Sequence, residues 1–92
     1  MLRFVWDSDK AGANLRKHGV DFQEAATAFS DPLSITVGDP EHSLREERWL
    51  LLGQSVAGRL LVVAHTELGD EIRIISARPA TRRERTTYEE DQ

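Results

Sequence analysis

Trp49-Leu-Leu-Leu-Gly-Gln-Ser-Val-Ala-Gly58-Arg-Leu-Leu-Val-Val-Ala-His-Thr66-Glu-Leu-Gly-Asp70-Glu-Ile-Arg-Ile-Ile-Ser-Ala77 holds three apolar segments, Trp49 to Leu52, Arg59 to Thr66 and Glu71 to Ala77, parted by two glycine-bearing turns. Apolar and β-branched runs of this length read as strands, and connections this short join antiparallel neighbours. The run therefore predicts a three-stranded antiparallel meander. Working upstream, Leu33, Ile35 and Val37 alternate with Ser34 and Thr36, the period of two that belongs to a half-buried strand. Gly38 to Ser43 reads as a loop, followed by charged residues from Arg45 to Arg48. Leu2 to Trp6 reads as a short opening strand.

Two helices are expected between those strands. Asp7 or Ser8 caps a segment from Asp9 to His18 with Ala11, Leu15 and His18 at helical spacing, and Gly19 stands where a left-handed stop belongs. Asp21 with Glu24 three residues later forms a capping-box pattern, and Phe22, Ala25, Ala26 and Phe29 repeat at three- and four-residue steps before Pro32. Downstream of the meander, Pro79 cannot donate to a strand ladder, and Thr81 with Glu84 marks another capping box, predicting a last helix from about Thr81 to Glu90. Ala80 and Tyr88 are its apolar residues, so it is expected to bury little and to be open to an external partner or to fraying. The fold class is α+β: two N-terminal helices on an antiparallel sheet of four to five strands, with a C-terminal helix. Phe4, Trp6, Phe22, Phe29 and Trp49 are the expected core aromatics.

At 92 residues the chain has room for one modest core, so residues 1–92 are expected to form a single domain. Apolar residues make up 39% and charged residues 30%, a balance that argues for a folded chain rather than disorder. No apolar run approaches the roughly 20 residues of a membrane span, and the first residues lack the pattern of an export signal, so the expected location is the cytoplasm. With no cysteine there is no disulfide, thiolate ligand or cysteine nucleophile. The three histidines lack metal-ligand spacing, and the glycines form no phosphate-cradling loop, nucleophile elbow or dinucleotide fingerprint; no metal and no cofactor are expected.

Charge is unevenly spread. Between Ile72 and Tyr88 five arginines face one glutamate, a net of +4, while the chain as a whole is −4 and the rest of it therefore −8. Arginine outnumbers lysine ten to two, and a guanidinium grips phosphate or carboxylate through a planar fork that an ammonium lacks. The asymmetry suggests an anionic partner for one edge. The alternatives are a GC-rich genome for the ratio, and guanidiniums that pair with the chain's own carboxylates for the cluster.

An ordered string of residues resembles a known family: Phe4-Val-Trp-Asp7, Lys10, Asn14, Lys17-His-Gly-Val20-x-Phe22, Ala25-x-x-x-Phe29-x-Asp-Pro32, Arg48 with Gly53, Ile74-Ile-Ser-Ala-Arg78-x-Ala80 and Glu84-Arg85. From about residue 4 to residue 88 the chain is similar to the BrnT family of bacterial toxins. The resemblance implies a small RelE-like fold and a ribonuclease that arrests translation. It also implies a BrnA-type antitoxin that neutralises the toxin, supplies the DNA-binding module for repression of their operon, and assembles as two toxins with two antitoxins.

RNA cleavage without a metal uses the substrate's 2′-hydroxyl as nucleophile, so the protein must supply a base, an acid and cations for the charge on phosphorus. Arg78, closing the last strand, and Arg73, five residues earlier, are the candidates for charge stabilisation; Arg82 and Arg85, three apart on the last helix, and Arg48 are candidates for holding the RNA backbone. His65 is the proton-transfer candidate, provided it faces the same side as Arg78. Glu84 and Tyr88, four apart, are alternative donors or acceptors, and Tyr88 also a candidate RNA contact. By strand alternation Arg48 and Trp49 point oppositely, so Trp49 is assigned to packing. His18 reads as a helix-end cation, and His42 as a loop residue with no special claim. Two functions follow: a ribonuclease toxin, or a non-catalytic protein- or RNA-binding module that docks an antitoxin-like partner, which the net charge of −4 favours because free-standing RNA binders are usually basic.

Overall fold

In the computed structural model, which describes residues 2–92, the meander forms β3 (Trp49–Gln54), β4 (Leu60–Leu68) and β5 (Glu71–Pro79). Ahead of it come β1 (Arg3–Val5), α1 (Ser8–His18), α2 (Phe22–Thr27) and β2 (Ile35–Gly38); α3 (Arg82–Glu90) follows. Two single-turn 3-10 segments, Ala28–Ser30 and Pro40–His42, tighten the chain on either side of β2. The five strands form one sheet in the order β1-β5-β4-β3-β2.

The sheet is mixed rather than wholly antiparallel: β1 lies parallel beside β5, with Arg3, Phe4 and Val5 opposite Glu71, Ile72 and Arg73. The helical crossover carries the chain from one sheet edge to the other, so the first strand meets the last. A local sequence pattern holds no signal for that pairing, which spans nearly the whole chain.

The N-caps form where the sequence suggests, but at α2 only half of the expected capping box is made, because the Glu24 carboxylate takes Ser55 and Arg59 instead of the Asp21 N–H. Asp7 accepts from the backbone N–H groups of Asp9 and Lys10, and Asp21 from that of Glu24, filling donors that a helix start leaves open. Gly19 adopts φ 70° and donates its N–H to the Leu15 carbonyl, a left-handed stop that a Cβ would strain. β5 runs past Ala77 through Pro79 because the proline's missing donor is not needed there. Ala80 N–H bonds the Leu60 carbonyl, so by alternation the Pro79 nitrogen points away from β4, beyond the reach of short β1.

α1, α2 and the Ala28–Ser30 turn cover one face of the sheet, called the helix face below. Val20, Phe22, Ala25 and Ala28 pack there on Leu51, Leu61, Val63, Ile74 and Ala77. Phe4 meets Phe29 and Trp6 meets Phe22, both edge to face. Gly53 is required by close approach: a Cβ there would lie 2.8 Å from the Ala28 carbonyl oxygen and 3.2 Å from Ser34 Cβ. Asn14 fastens α1 to β5, its amide nitrogen donating to the carbonyls of Val20 and Ala77 (2.9 and 2.8 Å) and its oxygen accepting from Ala77 N–H (3.1 Å). Arg59 forks onto Glu24 and also reaches the Gly19 carbonyl, tying the β3–β4 turn to the start of α2.

Candidate functional site

The face of the sheet opposite α1 and α2, the open face, carries the arginines. One row across it runs Arg78, Val62, Leu52, Ile35; the next runs Ser76, Ala64, Leu50, Val37. A third begins Arg73, Thr66, and one step beyond the Trp49–His65 pair it reaches Arg48. An apolar centre is thus bordered by arginine at both ends.

A β-bulge makes this arrangement possible. Residues 73 and 78 are an odd number apart, and in a regular strand they would point to opposite faces. Between the pairs Ala64–Ser76 and His65–Ile74 the ladder slips by one residue, with Ile75 as the extra one. Ile74 and Ala77 therefore both reach the helix face while Arg73 and Arg78 both reach the open face. The two arginines stand roughly 15 Å apart along β5, and Arg48 lies about 10 Å across the sheet from Arg73. They form two separate anchor points, Arg78 at one end and Arg73 with Arg48 at the other.

α3 leans over the Arg78 end. Its capping box is complete: Thr81 Oγ1 accepts from Glu84 N–H and the Glu84 carboxylate accepts from Thr81 N–H. That same carboxylate receives the Arg78 fork, Nη1 on Oε1 at 2.8 Å and Nη2 on Oε2 at 2.9 Å. The Arg78 guanidinium, helped by the Thr81 N–H, outweighs partial burial and holds Glu84 down to about 2, well below the usual carboxylate range. The partnership with Glu84 raises Arg78 in turn. With Nη1 also on the Pro79 carbonyl, three of the five N–H groups of Arg78 are engaged and two remain. A groove of ≈ 180 Å³ opens between α3 and the sheet, lined by Ile35, Val37, Leu50, Leu52, Val62, Glu84 and Thr87.

Tyr88 closes the far end of α3. It is buried, and its hydroxyl donates to Asp31 Oδ2 at 2.5 Å; this bond and burial together raise its phenol. Burial alone would raise Asp31, but hydrogen bonds from Tyr88 and from the backbone of Gln54 and Leu33 lower it. The last helix is therefore pinned at both ends by polar contacts, which is how it docks with so thin an apolar face.

His65 does not join the arginines. It is fully buried on the helix face, its ring edge-on to Phe29 at 4.8 Å. Nε2 meets the Glu67 carboxylate at 2.8 Å and Nδ1 the Val63 carbonyl at 3.2 Å. The condition attached to it, a shared side with Arg78, is not met. Glu84 and Tyr88 are engaged as described, so neither is a free donor. Arg48, Arg82 and Arg85 pair with no carboxylate among the described residues, whereas Arg3, Arg59, Arg73 and Arg78 pair with Glu71, Glu24, Glu46 and Glu84. Internal pairing thus accounts for part of the arginine excess only. Trp49 stands opposite His65, half-buried and outside the core cluster rather than in the core as expected, and alternation directs it away from Arg48. The signal for Glu84 was in its capping box, which commits the carboxylate to the Thr81 backbone. The bulge has no compositional signal; its trace is the odd spacing of Ile74 and Ala77, both needed in the core.

Comparison with known proteins adds three findings. The family described as ribonuclease toxin, BrnT, of type II toxin-antitoxin system matches residues 6–84. The crystal structure of the Brucella abortus ribonuclease toxin BrnT shares the fold, with a TM-score of 0.64 at 22% identity over 89% of this chain and 100% of that one. No curated protein matches the sequence significantly.

Proposed function

Since the chain belongs to the BrnT family, the ribonuclease toxins of type II toxin–antitoxin systems, we propose that it is a metal-independent endoribonuclease whose substrate RNA lies across the open face of the sheet. The observation that carries the reading is the bulge in β5, which brings Arg73 and Arg78 to the same face and leaves an apolar floor between the two arginine ends. Backbone phosphates suit guanidiniums and bases suit an apolar floor.

In this reading Arg78 grips a phosphate of the RNA backbone with the N–H groups Glu84 leaves open. Glu84 orients that guanidinium rather than transferring protons. Arg73 and Arg48 hold a phosphate at the far end, and Arg82 and Arg85 extend the cationic track along α3. His65 and Tyr88 serve packing and docking. Residues 1–92 act as one toxin domain in the cytoplasm, where RNA and ribosomes are. A type II toxin is neutralised by a protein antitoxin; a BrnA-like one, assembled as two toxins with two antitoxins and carrying the operator-DNA contacts, is what the family resemblance supports.

The test is induced expression in bacteria of the wild type and of Arg78→Ala, with and without the neighbouring open reading frame. Growth arrest, with RNA cut in chelator-treated extracts, is expected for the wild type and relief for the variant and the co-expressed strain. A folded Arg78→Ala protein that still arrests growth would remove Arg78 from the site. A second reading, a binding module that docks an antitoxin-like partner without cutting RNA, draws on the Glu84 carboxylate already filling the Arg78 fork. Intact RNA in the presence of purified wild type would favour it.

A further inference from the structure

The groups so far named leave the reaction without a proton acceptor: His65 is in the core, and Glu84 and Tyr88 are tied down. The loop between β2 and β3 supplies one. His42 Nδ1 lies 2.9 Å from Asp39 Oδ2; the imidazole is 61% exposed while the aspartate side chain is 16% exposed. Asp39 is fixed by its backbone, with Asp39 N–H on the Arg48 carbonyl (2.9 Å) and Ser43 Oγ–H on the Asp39 carbonyl (2.6 Å); Ser43 Oγ in turn accepts from Arg48 N–H (3.0 Å). The loop is built around the pair rather than merely containing it.

A carboxylate on Nδ1 sets the tautomer. In the neutral ring Nδ1 carries the proton toward Asp39, and Nε2 presents its lone pair outward, the state a general base needs. His42 lines a cavity of ≈ 330 Å³ with Glu41, Leu44, Arg45, Glu46 and Arg48. Glu46 bonds Arg73 of β5, joining this cavity to the arginine end of the open face. The charged groups around the ring are thus Asp39, Glu41 and Glu46 on one side of the balance and Arg45, Arg48 and Arg73 on the other.

We propose that His42 is the catalytic base of RNA cleavage and Asp39 its positioning residue, at a scissile phosphodiester held by Arg48 and Arg45. The inference rests on the ribonuclease reading and adds the proton path to it. The 2′-hydroxyl proton passes to His42 Nε2 as the 2′-oxygen bonds phosphorus and the bond from phosphorus to the 5′-oxygen breaks. The departing 5′-oxygen takes a proton from water, and the imidazolium returns its proton to the hydroxide so formed. The products are a 2′,3′-cyclic phosphate and a 5′-hydroxyl end.

The experiment measures cleavage of free RNA and of messenger RNA in a translating extract by wild type, His42→Gln, His42→Asn, Asp39→Asn and a control, His18→Gln, with folding checked by circular dichroism. Binding is measured on RNA with 2′-deoxy substitutions, which cannot react. His42→Gln and His42→Asn are expected to lose about 10²–10⁴-fold in cleavage rate while binding stays within twofold, since proton transfer contributes that much. Asp39→Asn is expected to slow cleavage and displace the pH–rate profile, and both His42 variants to abolish its rise with pH. Wild-type cleavage by folded His42→Gln, or equal losses of rate and binding, would overturn the assignment while leaving the ribonuclease intact. Binding without cleavage by the wild type in either assay would overturn the ribonuclease reading itself, and the base with it.

Discussion

Asn14 is buried with all of its amide capacity toward β5 and Val20 engaged, so its removal strands partners as well as losing contacts. Asn14→Ala leaves the N–H and carbonyl of Ala77 unpaired in the core and is expected to cost about 2–4 kcal/mol, read as a lowered urea midpoint at unchanged slope. Glu84 gives the chain an acid-sensitive joint. Its folded pKa of about 2 lies below the ordinary 4.5, so the stability it contributes is present above the ordinary value and is lost as pH falls toward 2. The gap in stability between wild type and Glu84→Gln should be constant above about pH 5 and shrink on acidification, from a plateau on the order of 2 kcal/mol. A gap that does not change between pH 6 and pH 2.5 would show that the Arg78–Glu84 fork is not formed in solution.

At the level of elements, the caps, the meander and the last helix were legible because each is written in adjacent residues: Asp21 with Glu24, the turn glycines, Thr81 with Glu84. The parallel β1–β5 pair and the facing of His65 were not, since both depend on register between distant segments. The bulge belongs to the same class, and it makes a prediction that runs against intuition. Deleting one of the Ile74-Ile75 pair removes the extra residue and leaves a regular strand in which Ile74, Ala77, Arg73 and Arg78 keep their faces. That variant should fold, with Tm lowered by only about 4–8 °C, whereas deleting Val62 from the regular part of β4 should turn the strand over and abolish the thermal transition. α3 was expected to be open to an external partner or to fraying; against fraying, Tyr88 and its hydrogen bond to Asp31 hold its far end. Tyr88→Phe should weaken that docking by about 1.5–3 kcal/mol and raise amide exchange in residues 85–90 while β4 remains protected.

Across the whole molecule the acidic balance and the RNA substrate proposed above are reconciled by segregation. Arg48, Arg82 and Arg85, which pair with no carboxylate among the described residues, lie on the open face and α3, while Lys10, Arg16 and Lys17 lie on α1 across the sheet; outside residues 72–88 the balance is −8. RNA affinity should then fall with salt, and removing Arg82 and Arg85 together should flatten the slope of log affinity against log salt by about 1.4, near 0.7 for each phosphate contact to a single strand. Arg3→Ala at the β1 edge should leave that slope as it is. The parallel seam between β1 and β5 carries a further consequence, for timing. Arg3 has no strand partner until Glu71 has been made, and the strand bearing Arg73 and Arg78 is the last strand to leave the ribosome. A chain still in synthesis has neither a closed sheet nor a facing pair of arginines. The arginine-bordered open face is therefore absent from the growing chain and is completed only when its first and last strands meet.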